Sequence, residues 1–211
     1  MNRVLVQPTY LPTIIQSAIM LKAGAVILEV HDNYQKQSYR NRTHIATANG
    51  QLTLNIPVKH VGKDQGHQKT KDARIENNFL WQRQHWRSIE IAYRTSPFFE
   101  YYEDDFAFLY TTSFEKLIDF NIASIKAVFN ALQVDIKTLN STDYKTKAEI
   151  EDAEIKDFRF LADAKRKEEL QIVNYRQVFQ EKHNFIPNLS VIDLIFNEGP
   201  NAATYLENLN F

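Results

Sequence analysis

Val4-Leu5-Val6-Gln7-Pro8-Thr9-Tyr10-Leu11-Pro12-Thr13-Ile14-Ile15-Gln16-Ser17-Ala18-Ile19, continuing to Gly24 and then Ala25-Val26-Ile27-Leu28-Glu29-Val30, decides the fold class. Val4-Leu5-Val6 is a short apolar run ended by Gln7-Pro8, the pattern of a buried strand entering a loop. Thr13 caps a helix whose apolar positions Ile14, Ile15, Ala18, Ile19 and Leu21 recur at helical spacing, with Gly24 at the stop. Ala25–Val30 then reads as a second buried strand. Strand, turn, helix and strand within thirty residues make a βαβ unit, which requires a parallel sheet. Gln7 and His31 fall just past the two strand ends, the edge where open α/β sheets bind ligands.

The stretch that follows, His31-Asp32-Asn33-Tyr34-Gln35-Lys36-Gln37-Ser38-Tyr39-Arg40-Asn41-Arg42-Thr43-His44, is dense in charged and planar polar groups. Lys36, Arg40, Arg42 and His44 have even spacing, so an extended chain would place them on one face. Tyr39, Asn41, Thr43 and Ile45 would take the other. Arginine forks match carboxylates and phosphates, so this stretch is expected to face an anion. His31 is the candidate for proton transfer, with Asp32 beside it in sequence. Gln7, Thr9 and Tyr10 would offer polar contacts from a turn stiffened by Pro8 and Pro12. Asn33, Asn41, Lys59 and His85 complete the expected binding set. The histidine spacing matches no metal motif, so no metal is expected, and no residue pattern names a cofactor.

Asn49-Gly50 predicts a type I′ hairpin turn into the alternating run Leu52–Val58, with Pro57 marking a sheet edge or the end of that strand. Residues 59–72, with Lys59, Lys63, Lys69 and Lys71, read as a mobile basic lid. Helices are expected over Asn78–Tyr93 and from a Ser113 cap to about Leu132, with an aromatic helix or turn over Phe98–Tyr102. Further helices are expected over Tyr175–Lys182, from Ser190 to Asn197 and from Asn201. Trp81, Trp86, Tyr93, Phe98 and Phe99 are expected in the core. Residues 133–167 read as loops with one short strand, and Lys165-Arg166-Lys167-Glu168-Glu169 as solvated.

Composition narrows the function. The 211 residues carry a net charge of −1, so any anion site is local and a nucleic-acid partner is not expected. The chain has no cysteine, which removes thiolate chemistry and disulfides, and only 5 glycines, which argues against a glycine-rich phosphate cradle. No apolar run approaches the ~20 residues of a membrane span. A cytoplasmic location is expected, with the sequons at Asn140 and Asn188 as chance matches. The whole chain reads as one domain, with residues 1–75 as its α/β, anion-binding part and 76–211 as its mainly helical part.

Several of these motifs, taken in order, resemble the WbqC-like family. They are Gln7-Pro8-Thr9-Tyr10-Leu11-Pro12, Asn33-Tyr34-Gln35-Lys36 with Tyr39-Arg40-Asn41-Arg42, and Ile56-Pro57-Val58. Trp81-Gln82, His85-Trp86, Tyr93 and Ser96-Pro97-Phe98-Phe99 continue the likeness. Gln177-Val178-Phe179-Gln180, Ile192-Asp193-Leu194 and Asn197-Glu198-Gly199-Pro200 look like its Bacteroidetes branch. Some family members occur in gene clusters for O-antigen or other surface polysaccharides. The resemblance therefore implies a transferase acting on a nucleotide-linked sugar or an activated acyl or aminoacyl donor. A second, remote likeness is to the nucleotidyltransferase and pantothenate-synthetase superfamily. Its phosphate-holding histidine pair has no counterpart in Pro12-Thr13-Ile14-Ile15-Gln16, which argues against adenylyl transfer by that route. Two other functions fit the same residues: a non-catalytic protein binding a small anionic metabolite, and an assembly partner using an aromatic surface. Oligomeric state is not encoded in any of these motifs.

Overall fold

Thr13 sets the start of the first helix. Its backbone is extended and its side chain accepts from Gln16 N, satisfying one of the amides that a helix start leaves unpaired. A computed structural model describes residues 2–60, 66–166 and 172–210. It places strand β1 at Arg3–Val6, helix α1 at Ile14–Leu21 and strand β2 at Ala25–Leu28, with β1 and β2 parallel in the register Arg3 to Ala25. The expected βαβ unit is present. Gly24 does not take the left-handed conformation expected of it; Lys22 closes the helix instead, with right-handed backbone.

Strands β3 (Arg42–Thr47) and β4 (Gly50–Asn55) form the hairpin. Its turn differs from expectation. Gly50 has φ +94° while Asn49 stays out of the positive-φ region, so the turn is not type I′. Strand β4 stops two residues before Pro57, as expected.

Three helices follow: α2 at Trp81–Tyr93, α3 at Phe99–Thr111 and α4 at Leu117–Ala131. Helix α3 runs well past the expected Tyr102. Helix α4 starts four residues after the predicted Ser113 cap because residues 115–117 are held alongside residues 73–75. Ile75 N donates to Glu115 O at 2.8 Å and Leu117 N to Ala73 O at 2.9 Å.

The larger departure lies in the charge-rich stretch. It holds strand β5 (Thr138–Asn140), helix α5 (Lys147–Asp152) and strand β6 (Ile155–Asp157) rather than loops with one strand. Both strands join the first two in parallel, giving the order β5-β2-β1-β6. The sheet thus draws its two outer strands from residues 138–157. The last helices are α6 (Gln180–His183), α7 (Val191–Glu198) and α8 (Asn201–Asn208). Ser190 caps α7 as expected. Helix α6 is shorter than expected because the Tyr175 and Gln177 side chains are tied to Asp193, holding residues 175–177 out of a helix.

A large core joins most of these parts, and Leu5, Ile150 and Ile155 form a second, smaller cluster between β1, α5 and β6. Tyr10, Trp81, Phe120 and Phe196 are all buried within the large core, and Phe196 meets Tyr93, Phe99 and Phe106 with ring centroids 5.1–5.6 Å apart. Trp86 and Phe98 pack against this core half-buried.

Candidate functional site

Beyond the C-terminal ends of β1, β2, β5 and β6 lies a cleft of about 480 Å³. In chain order the strands run third, second, first, fourth across the sheet, the order found in one half of a doubly wound sheet. The chain reverses direction across the sheet between β1 and β6, and such switch points are where these folds bind ligands. Gln7, Asp32, Asn33, Gln35 and Arg40 line the cleft from the segments after β1 and β2, and Lys69 from the segment after the β3–β4 hairpin. Tyr144, Asp157, Arg159, Phe160, Asp163 and Arg166 line it from the segments after β5 and at β6.

Asp32 organises the first group. Its Oδ2 accepts from Gln7 Nε2 at 2.8 Å and pairs with Arg40 Nη2 at 2.5 Å, while its Oδ1 accepts from Thr70 Oγ1. Arg40 also donates to Ser38 Oγ at 3.3 Å. Gln7 Oε1 and Arg40 Nε are buried and find no hydrogen-bond partner among the described residues. Ser17 Oγ, Asn41 Oδ1, Arg42 Nε, His44 Nε2 and Asn121 Oδ1 are unpartnered in the same way away from the cleft lining.

Arg159 organises the second group. It forks onto Asp157 with contacts of 2.8–3.2 Å and reaches Glu29 Oε2 at 3.4 Å. Glu29 is fully buried, and its Oε1 accepts from His31 N at 2.8 Å and Ser141 Oγ at 2.9 Å. Arg159 also lies over the Tyr144 ring, 4.9 Å from its centroid.

The turn between β1 and α1 is rigid. Residues 7–13 are all buried, and Leu11 holds φ +43°, a region that costs a non-glycine residue of order 1–3 kcal/mol. Several bonds over-determine it. Leu11 O accepts from Thr43 Oγ1 and Ser190 Oγ, each at 3.1 Å, and Asn121 Nδ2 bridges Pro8 O and Arg40 O. The start of α1 is sealed as well. Ile14 N donates to Leu189 O at 3.0 Å and Ile15 N to Asn188 Oδ1 at 3.1 Å, while Thr13 takes the next amide. An anion in the cleft therefore relies on side chains rather than on this helix end.

Of the residues expected at the site, Gln7, Asp32, Asn33 and Arg40 meet at the cleft. The others are placed elsewhere. Lys36, Arg40, Arg42 and His44 do not share one face, because the chain is extended only from Arg42 onward. Gln37 is left-handed at φ +59° and Ser38 Oγ donates to Gln35 O, which turns the chain, so Lys36 is exposed while Arg40 is buried. Asn41, Arg42 and His44 sit at the hairpin, half-buried, with His44 edge-on to Tyr39. Lys59 is exposed, with its amide bonded to Arg74 O. His31 has its Nδ1 3.4 Å from Lys71 Nζ.

Thr9, Tyr10 and His85 lie in the interior. Thr9 donates to Gln16 Oε1 at 2.6 Å, and Tyr10 OH lies 3.0 Å from His85 Nδ1 and 2.8 Å from Tyr110 OH. Burial pushes the His85 imidazole down to about 4, so it is neutral near pH 7. The segment read as a lid is fixed at one end. Tyr34 N donates to Gln68 O, Thr70 N to Asp32 O and Lys71 N to Val30 O. Lys63, and Lys167-Glu168-Glu169 of the stretch expected to be solvated, lie outside the described residues.

Sequence reading missed Glu29, Tyr144, Asp157, Arg159, Phe160 and Asp163. All but Glu29 depend on strands of three residues, too short to carry a period. Glu29 looked like part of a strand.

A parallel sheet whose strand order reverses beside a polar cleft defines a Rossmann-like α/β protein. The chain belongs to the WbqC-like protein family, whose sequence model matches residues 7–166 and 160–205. It is 27% identical over 224 aligned positions to the uncharacterised protein Rv1507c of Mycobacterium tuberculosis, covering 96% of each chain. No solved structure matches it significantly. Among the described residues no helix is long and apolar enough to cross a membrane, and no cluster of three or more His, Asp or Glu is placed to hold a metal ion.

Proposed function

We propose that the protein is a transferase that binds an anionic, activated donor in the cleft at the ends of β1 and β6. The donor is a nucleotide-linked sugar or an activated acyl or aminoacyl group. The setting is surface-polysaccharide synthesis in the cytoplasm, and the C-terminal motifs suggest a Bacteroidetes-type member. One observation carries the reading. Asp32 holds Arg40 and Gln7 together in the wall of the cleft at the strand-order reversal. Arg40 and Lys69 then face the anionic portion of the donor and Gln7 and Asn33 its polar portion. His31, which precedes Asp32 and adjoins Lys71 outside the cleft lining, is the candidate proton carrier.

The engagement of Asp32 favours a second reading. Its carboxylate is occupied by Gln7, Arg40 and Thr70, and His31 adjoins Lys71 instead of Asp32, which suits binding without catalysis.

Thermal shift against sugar nucleotides, nucleotides, acyl-CoAs and simple phosphates tests the shared premise. Ligand at about 100 times its Kd raises stability by about 2.7 kcal/mol. Lys69 is exposed, so Lys69→Ala should abolish the shift without unfolding the protein. A shift that survives Lys69→Ala would move the site elsewhere. Turnover of the hit with an acceptor, lost in His31→Ala with affinity retained, separates the enzyme from the binding protein.

A further inference from the structure

The two halves of the cleft differ in chemistry. Around Gln7, Asp32 and Arg40 it is lined by amides and charges. Around Tyr144 and Phe160 it presents aromatic rings, each covered by a guanidinium. Arg159 lies 4.9 Å from the Tyr144 centroid and Arg166 lies 4.0 Å from that of Phe160. Tyr144 is 52% exposed, a large share for a ring in a cleft wall, and lies in the segment after β5.

We propose that this half of the cleft is a nucleobase subsite, with a planar base stacking at Tyr144 and Arg159 and its phosphates directed toward Arg40 and Lys69. The proposal rests on the donor-binding reading above and narrows it to donors carrying a nucleoside diphosphate.

Three features support it. First, the platform is preorganised. Asp157 and Glu29 hold the Arg159 guanidinium, whose side chain is only 12% exposed, so little side-chain entropy remains to be lost on binding. A ring backed by a fixed guanidinium offers stacking to any base, because every base has a π face. Second, the charges suit a polar molecule with a limited negative charge. Arg40, Lys69, Arg159 and Arg166 face Asp32, Asp157 and Asp163, so the lining favours an anion only slightly. With Asp32 and Asp157 engaged by Arg40 and Arg159, the exposed Asp163 is the acceptor for a ribose hydroxyl. A bare polyphosphate would have no donor to offer Asp163. Third, 480 Å³ falls in the range of small-molecule sites and spans both halves.

Nucleotide sugars and acyl-CoAs share this handle, so the probes must separate them. The full chain is titrated with UDP, ADP, GDP, a UDP-sugar, coenzyme A, ribose 5-phosphate and inorganic diphosphate, on wild type, Tyr144→Ala, Tyr144→Phe and Lys69→Ala. At least one nucleotide should bind more tightly than ribose 5-phosphate or diphosphate. Tyr144→Ala should weaken that nucleotide by about 5- to 150-fold and leave ribose 5-phosphate unchanged, while Tyr144→Phe restores binding. A preference for the UDP-sugar or for coenzyme A then names the donor class. Nucleotide binding that is indifferent to Tyr144→Ala overturns the subsite and leaves the donor reading standing. So do baseless phosphates that bind as tightly as nucleotides and are lost in Lys69→Ala. No binding by any probe overturns both.

Discussion

Arg40 Nη2 lies 2.5 Å from Asp32 Oδ2, with the two side chains 4% and 9% exposed. Seven residues lie between them, and the loop they form turns back on itself so that the pair meets in the cleft wall. A buried pair of this kind contributes geometry more reliably than net stability.

Removing one partner strands the other charge. Arg40→Ala should therefore cost about 3–5 kcal/mol in urea unfolding, and Asp32→Asn with Arg40→Met should recover much of that loss. Equal stability of Arg40→Ala and wild type would mean the pair is solvated and not part of a rigid wall.

His85 makes the fold acid-sensitive. Burial lowers its folded value to about 4 from 6.5, so the unfolded chain binds the proton more readily. The stability it contributes is complete above about pH 6.5 and is lost as pH falls toward 4, amounting to about 3 kcal/mol. His85→Gln should flatten this part of the pH–stability curve in denaturant titrations.

Asp193 acts in the opposite direction. It is fully buried and accepts from Tyr93 OH at 2.8 Å, from Tyr175 OH and from Gln177 Nε2 at 3.0 Å. Burial raises its carboxyl above 3.8, so the folded state holds the proton more tightly. Its contribution is complete below pH 3.8 and is lost as pH rises through the folded value. Relative to Asp193→Asn, wild type should therefore gain stability on acidification across that window. An identical pH dependence in the two proteins would show that Asp193 ionises as if exposed.

Gly199 follows α7 with φ +55°, and a Cβ there would lie 2.6 Å from the Phe98 ring. Gly199→Ala should lower stability by about 1–3 kcal/mol through strain and overpacking, read as a lower urea midpoint at an unchanged m value. Gly50 also has positive φ, at +94°, but open space around it, so Gly50→Ala should show the conformational cost alone.

The sequence signalled its features unevenly. Val4-Leu5-Val6, the Thr13 cap and Ala25–Leu28 announced the first parallel pair because each carries a local signal: an apolar run, a cap or a turn. Thr138–Asn140 and Ile155–Asp157 carry none, since three residues do not establish a period and their pairing is set by distant strands. Half the cleft was illegible for that reason. Gln7 could be anticipated from its position at a strand end, and Asp32 only as the neighbour of His31, not as the acceptor that joins Gln7 to Arg40. Arg40 was foreseen at the cleft but not as buried, because burial depended on a left-handed Gln37 and a Ser38 side-chain bond. Tyr10 and His85 looked polar enough for a ligand, yet they satisfy one another in the core.

The seal on α1 has a consequence for how the protein is made. The amides of Ile14 and Ile15 are met by Leu189 and Asn188, and Val191 N donates to Pro12 O, so the first turn closes only on residues near the other end of the chain. Contacts of such long sequence separation slow folding, because loop closure must precede any gain from the contact. During synthesis the N-terminal unit must wait with its first helix uncapped by those partners until the α7 segment has left the ribosome. A nascent chain halted before Asn188 should accordingly remain protease-sensitive at residues 7–17, and protection there should appear only once residues 188–191 are exposed.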